Sequence, residues 1–227
     1  LHRRRHSFPT RRSSDLETSS AIALVEVNSE TDFVAKNDKF KEFVHHVALE
    51  SASFNLHSLE GLLNHTYSKD KTLTVDQYRA LTMQSLGENI QIKRVEVFAK
   101  KPSVSFGIYS HMGGAIVTLV EITGSDEVGS LAKEIAMHIA AESPDYLKPE
   151  EIPSDVKARE EEIAKSQVVG KPANIADKIV EGKMKAFYDQ VCLISQKFVK
   201  DNSISVGDLV ANEGKKLGKH LSIARFV

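Results

Sequence analysis

Apolar and polar positions follow two different periods along this chain, and the switches between them mark its elements. Residues 21–27 (AIALVEV) and 116–122 (IVTLVEI) are short runs rich in β-branched side chains, bounded by turn residues, and predict strands. After the first, Phe40, Phe43, Val44, Val47 and Ala48 recur at i, i+3, i+4, i+7 and i+8, the stripe of a helix that buries one face. Asn37 or Asp38 is placed to N-cap that helix. Val128, Leu131, Ile135 and Ile139 repeat the stripe in the second half. Residues 104–109 and 116–121 flank His111-Met112-Gly113-Gly114, which predicts a hairpin. Further helices are predicted over 59–63 and 75–86, split by a polar turn at 68–71. Another pair is predicted over 153–167 and 174–191, joined at Gly170-Lys171-Pro172, where glycine ends one helix and proline starts the next. Ile163, Ile175, Ile179 and Phe187 predict a narrow seam between antiparallel helices.

The two halves are related. Residues 24–51 (LVEVNSETDFVAKNDKFKEFVHHVALES) match 119–143 (LVEITGSDEVGSLAKEIAMHIAAES) at an offset of 95 at the strand and 92 at the helix end. The first copy is thus three residues longer, and the extra length falls at the turn holding Asp32 and Phe33. A second match pairs 87–95 (GENIQIKRV) with 218–226 (GKHLSIARF) at an offset of 131. Each half reads strand, turn, helix, insertion, closing strand. The expected fold class is α+β: two repeated core subdomains of antiparallel strands packed with helices, plus an inserted antiparallel helical hairpin, a coiled coil. The expected boundaries are 17–101 for the first subdomain, 102–150 with 192–227 for the second, and 151–191 for the hairpin.

The repeat isolates one loop. Phe33 lies in a polar connection between Asp32 and Lys36, where nothing local would bury it. Function concentrates on loops held by a rigid frame. An aromatic ring held out from the surface suits an anchor for another macromolecule, and truncating such anchors costs about 2 kcal/mol of binding or more.

Composition narrows the classes. The chain of 227 residues is 41% hydrophobic and 27% charged, enough for a sizeable core. Its net charge of -1 argues against sequence-independent nucleic-acid binding, which needs a basic excess. No run approaches the roughly 20 apolar residues of a membrane span. The single cysteine, Cys192, excludes an internal disulfide, suits a reducing compartment and sits in an apolar run that predicts core. No GxxxxGK[ST], HExxH or CxxC is present, so no cofactor or metal is expected. His45 and His46 point about 100° apart on a helix and suit one metal poorly. His46 and His138 occupy equivalent repeat positions, where a structural role near the core is preferred to catalysis. His111 reads as a solvated hairpin-tip residue, and Glu160–Glu162 as a solvated helix face.

Residues 1–16 (LHRRRHSFPTRRSSDL) stand apart, with only one acidic residue. They superficially match a mitochondrial transit peptide but offer almost no apolar stripe. The run SFPTRRSSDL resembles translated adaptor sequence, and the segment is expected to be non-native and disordered. The partner strand that the repeat demands before Ala21 would then be missing, leaving an exposed strand edge.

Three blocks, in order, resemble the elongation factor Ts family: NSETDFVAKNDKF at 28–40, LGENIQIKR at 86–94, and GKPANIADKIVEGKMKAFYDQVCLISQKFVKD at 170–201. The resemblance covers residues 20–227. It implies a translation elongation factor that binds elongation factor Tu and promotes exchange of GDP for GTP by disturbing its magnesium and phosphate site, without being an enzyme itself. It implies partner-binding and exchange roles for Thr31, Asp32, Phe33 and Val34, with Leu86, Gly87 and His111. Leu86 stands where the family has Ile. After His111 the family often reads Gly-Gly-Gly-Arg, whereas this chain reads Met112-Gly113-Gly114-Ala115, which lacks the Arg. A bacterial cytoplasmic location is implied, with a mitochondrial one as the alternative, and a homodimer within the complex is admitted. Family members begin with a small three-helix domain, so without one weaker partner binding is expected. They also usually continue past the closing strand. The rival reading is an interaction module that binds a GTPase without driving exchange.

Overall fold

Every residue of the strand Ala21–Ser29 is buried or half-buried, and its apolar stretch from Ala21 to Val25 sets the first half of the structure. The computed structural model describes the backbone of residues 10–17 and 20–227 and the side chains of residues 20–227. The chain divides into two compact units, Leu1–Lys101 with Ser110–Val117, and Pro102–Tyr109 with Thr118–Val227.

In the first unit the elements run β1 (Thr10–Glu17), β2 (Ala21–Ser29), α1 (Asp32–Lys36), α2 (Asp38–Phe54), α3 (Leu59–Asn64), α4 (Val75–Leu86) and β3 (Gln91–Ala99). The strands form a three-stranded antiparallel sheet in the order β1-β2-β3. The predicted stripe of α2 is what buries: Phe40, Phe43, Val44, Val47 and Ala48 join Val25, Val27, Ile90 and Ile92 in one core. Each such side chain contributes about 1.5–3 kcal/mol relative to exposure. Phe43→Ala would therefore cost about 3–5 kcal/mol with its cavity included.

The expected exposed strand edge is corrected. Thr10–Glu17 pairs with β2, from Thr10 opposite Ser29 to Glu17 opposite Ile22. An open edge presents main-chain donors and acceptors, and pairing there does not depend on the side chains of the added strand. Residues 1–9, which belong to the segment expected to be non-native, lie outside the described residues.

The second unit holds β4 (Val104–His111, its last two residues grouped with the first unit), β5 (Ile116–Thr123, its first two residues likewise), α5 (Gly129–Glu142), α6 (Ser154–Ser166), α7 (Ala173–Val191), β6 (Lys197–Phe198), β7 (Asp201–Ser205), α8 (Val206–Leu217) and β8 (Ser222–Phe226). Its main sheet has the order β4-β5-β8. Ile135, Ile139, Val120, Ile122, Val206 and Val210 build its core. Gly107 on β4 lets α5 lie against the strand, since a Cβ there would fall 2.0 Å from the Ala132 carbonyl carbon. Val128 sits at the N-cap of α5, just outside the helix rather than within it.

The repeat holds in detail. β2 pairs with β3 and β5 with β8, both antiparallel, with register breaks at Glu26/Val27 and at Glu121/Ile122. Arg94 bridges Glu26 at 2.9 Å, and Arg225 bridges Glu121 at 2.7 Å. Gly87 and Gly218, with φ of 72° and 62°, end α4 and α8 in the left-handed conformation and feed the closing strands.

Helices α6 and α7 occupy the predicted inserted hairpin, and the predicted seam is half-buried at Ile179 and Phe187 but not at Ile163 and Ile175. Ile163 and Ile175 are 42% and 47% exposed, while Ala164 is the buried residue of α6 and α7 has none. With Ala164 alone fully buried between the two helices, a coiled coil is not established.

Candidate functional site

The turn isolated by the repeat is a helix in its own right. Thr31 N-caps α1, its Oγ1 accepting from the Val34 N–H at 3.4 Å. Asn37 closes α1 and opens α2: its N–H donates to the Val34 carbonyl at 2.9 Å, and its Oδ1 accepts from the Lys39 N–H at 2.9 Å. One turn of helix between two caps fixes which way each side chain faces. Val34 and Ala35 enter the core, so Phe33 must point outward, and it is 81% exposed. The expectation of a polar turn is thereby corrected to a capped helical turn, which fixes the ring's direction better than an open loop would.

The turn is also held from outside. The Glu88 carboxylate accepts from the Thr31 N–H at 3.0 Å and from the Thr31 hydroxyl at 2.5 Å. Lys39 donates to Ser85 Oγ at 3.0 Å, a second tie between the start of α2 and the end of α4. Ser29 Oγ donates to the Thr31 carbonyl at 3.0 Å. These bonds bring Thr31–Val34 beside Leu86 and Gly87, two stretches more than 50 residues apart in sequence. Glu88 is the residue that sequence reasoning missed. It lies inside the LGEN block, but nothing local marks it as the brace of a distant N-cap.

Asp32 is exposed and paired with Lys36 at 2.8 Å. The hydrogen bond and charge of Lys36 hold its carboxyl below the usual range, so it is ionised at neutral pH. Leu86 is half-buried at the end of α4, and Gly87 is exposed. His111 ends β4, exposed at the tip of the β4–β5 hairpin. Of the seven expected residues the braces join six, and His111 belongs to a separate stretch of chain.

The two repeat-related histidines are buried and bonded. His46 Nε2 meets the Lys69 ammonium, so Nδ1 carries the proton toward the hydroxyls of Tyr67 at 2.8 Å and Tyr78 at 3.1 Å. His138 takes the opposite tautomer, donating from Nε2 to Gln196 at 3.0 Å and accepting the Val199 N–H at Nδ1 at 3.2 Å. Burial holds both imidazoles below their ordinary pKa, with Lys69 adding to the effect at His46. Cys192 is buried, and its thiol is pushed up to about 11 by desolvation, as suits a core residue. Among the described residues no three His, Cys, Asp or Glu side chains converge to hold a metal, and no helix is long and apolar enough to cross a membrane.

Fold and site thus define an α+β protein built on a duplicated sheet-and-helix unit, with an apolar ring braced outward at the turn where the first copy is three residues longer. A sequence model of the family described as Elongation factor TS matches residues 30–227. The chain is 57% identical to an elongation factor Ts of Protochlamydia amoebophila over 211 residues, 93% of this chain and 75% of that relative. It is 42% identical to the elongation factor Ts of Chlamydia caviae, over 90% of this chain and 73% of the relative. With that of Chlamydia pneumoniae it shares 41%, over 92% and 74%. The chain belongs to the elongation factor Ts family and is a translation elongation factor of protein biosynthesis.

Proposed function

We propose that this chain binds elongation factor Tu and speeds exchange of GDP for GTP, with Phe33 as the wedge and Asp32 as the charge that disturbs the magnesium shell. The observation that carries the reading is the outward aim of Phe33 from a turn capped at both ends and braced by Glu88. A ring that must enter a partner gains from being preorganised, because less ordering is left for the encounter. Asp32 is ionised, and it and its ion-pair partner Lys36 are both exposed, so its carboxylate can be offered to a cation's ligand shell.

The coupling is thermodynamic. Nucleotide and magnesium hold the GTPase's phosphate site in one arrangement. A factor that binds a different arrangement more tightly weakens nucleotide binding by its differential affinity. Reciprocity then makes nucleotide weaken the factor equally, so neither partner stays trapped.

The test is release of a fluorescent GDP analogue from elongation factor Tu as this chain is titrated in, with binding followed in parallel. Release that accelerates and saturates with binding supports exchange. Binding with unchanged release would instead establish an interaction module, and no binding would remove the reading altogether.

A further inference from the structure

A cavity of about 410 Å³ lies in the first unit, walled by α2, by α4 and by the connection that leads into α4. Small molecules are held in cavities of about 300–1,000 Å³. Tyr67 and Tyr78 form part of the wall, stacked with ring centroids 4.4 Å apart and planes 6° from parallel. Their hydroxyls both meet His46 Nδ1, at 2.8 and 3.1 Å. The polar ends of the tyrosines are thus satisfied inside the protein, and the rings offer the cavity carbon and π electrons. Leu81 adds apolar surface and is 50% exposed.

The charges on this wall do not cancel. Glu42 and Asp70 bring two carboxylates, and Lys39 brings one ammonium. Among the described residues neither carboxylate has a Lys or Arg at ion-pair distance. Glu42 has the His46 imidazole at 3.8 Å, and burial holds that ring below its ordinary pKa. Asp70 Oδ1 accepts from the Thr72 hydroxyl at 2.6 Å and the Thr72 N–H at 3.0 Å. These bonds hold its carboxyl below the usual range, so it is ionised at neutral pH. The Asp70 N–H donates to the Tyr67 carbonyl at 3.2 Å, which keeps Asp70 at the tyrosine end. Lys39 is at the other end, donating to Ser85 Oγ at 3.0 Å, and Ser85 lies about 10 Å along α4 from Tyr78. The tyrosine end therefore combines an aromatic wall with unpaired negative charge.

We propose that this cavity binds a small organic cation, an ammonium or guanidinium group carried on an apolar body. The cation is drawn to the aromatic rings. The apolar body covers the rings and Leu81 and removes them from water. The two carboxylates repel each other, and a cation between them relieves that repulsion. An anion would meet two carboxylates against one ammonium that Ser85 already engages. No step involves elongation factor Tu, so the site stands or falls apart from the exchange activity.

The test titrates benzyltrimethylammonium, benzyl alcohol and phenylacetate into the isotope-labelled full chain and follows its amide signals by NMR. The cation is expected to move the signals of Tyr67, Tyr78 and Leu81 with a Kd of about 1 mM or tighter. The alcohol has the same ring without the charge and is expected to bind at least about fivefold more weakly, with phenylacetate weaker still. Glu42→Gln combined with Asp70→Asn removes both charges at exposed positions, and Asn keeps an acceptor for Thr72, so melting should hold within about 2 °C. That double variant is expected to bind the cation about fivefold more weakly and the alcohol as the parent does. No movement of these signals at about ten times the expected Kd overturns the proposal. Equal affinity for the cation and the alcohol overturns it too, as does a folded double variant that binds the cation as tightly as the parent.

Discussion

The two copies of the strand–turn–helix unit solve the same packing problem and then diverge at one connection. In the second copy, the link from β5 to α5 is stitched inward. Ser125 and Val128 are buried, the Ser105 hydroxyl donates to the Ser125 carbonyl at 2.9 Å, and the Val128 N–H donates back to Ser105 Oγ at 3.1 Å. Lys219 adds bonds to Ser125 Oγ at 3.0 Å and to Glu127 at 2.8 Å. In the first copy, three extra residues turn the same link into α1, whose inner face is core and whose outer face is Phe33. Strand, helix stripe, bulge and Arg–Glu pair are common to both. The frame is therefore structural in both copies, and the difference of three residues is where the outward ring of Phe33 was added.

The strongest way to break this comparison is to damage the frame of the second copy. Gly107→Ala places a methyl 2.0 Å from the backbone of α5. Overpacking against backbone costs about 3 kcal/mol, or roughly 6–12 °C in the melting of a chain of this size. Calorimetry should show that loss. Any fall in GDP release should track the unfolded fraction, because the substitution leaves Phe33 and its braces in place.

A gentler change tests the brace. Glu88→Ala removes the carboxylate that holds the Thr31 N–H and hydroxyl. The expected result is an unchanged melting temperature within about 2 °C and release slowed by about fivefold, the factor equivalent to one hydrogen bond of about 1 kcal/mol spent on orienting α1. A fall in melting with no change in release would make Glu88 part of the frame alone.

The smallest expected effect concerns the two histidines. Both have folded pKa values below the unfolded value of about 6.5. The unfolded chain then binds more protons, so stability rises with pH where the groups titrate. The contribution is complete above about pH 6.5 and declines as pH falls toward the folded pKa values. Melting at pH 8 should exceed melting at pH 5, and His46→Gln should flatten part of that slope. Lys69→Met should flatten a smaller part, since Lys69 is the second cause at His46.

Much of this architecture is legible in residue order because it is periodic. The stripes of α2 and α5, the span of α4, and the paired strands with their closing glycines all follow from local pattern and the repeat. What escaped is non-local or backbone-driven. The pairing of Thr10–Glu17 with β2 depends on main-chain groups that carry no side-chain signature. The buried residue of α6 is Ala164, whose apolar signal is weak beside that of exposed Ile163. Phe33 is conspicuous in sequence, but its orientation rests on Thr31, Asn37 and a glutamate 57 positions away from the threonine it holds. The buried polar partners of His46 and His138 likewise come from distant segments.

The central claim is that Phe33, aimed outward by α1, drives nucleotide release. The most direct test is stopped-flow release of a fluorescent GDP analogue from elongation factor Tu, comparing this chain with its Phe33→Ala variant at matched concentration. Because Phe33 is 81% exposed, the variant should melt as the parent does. Release is predicted to slow by about 30-fold, the equivalent of losing an anchor of about 2 kcal/mol. A folded variant that releases GDP as fast as the parent would contradict the account.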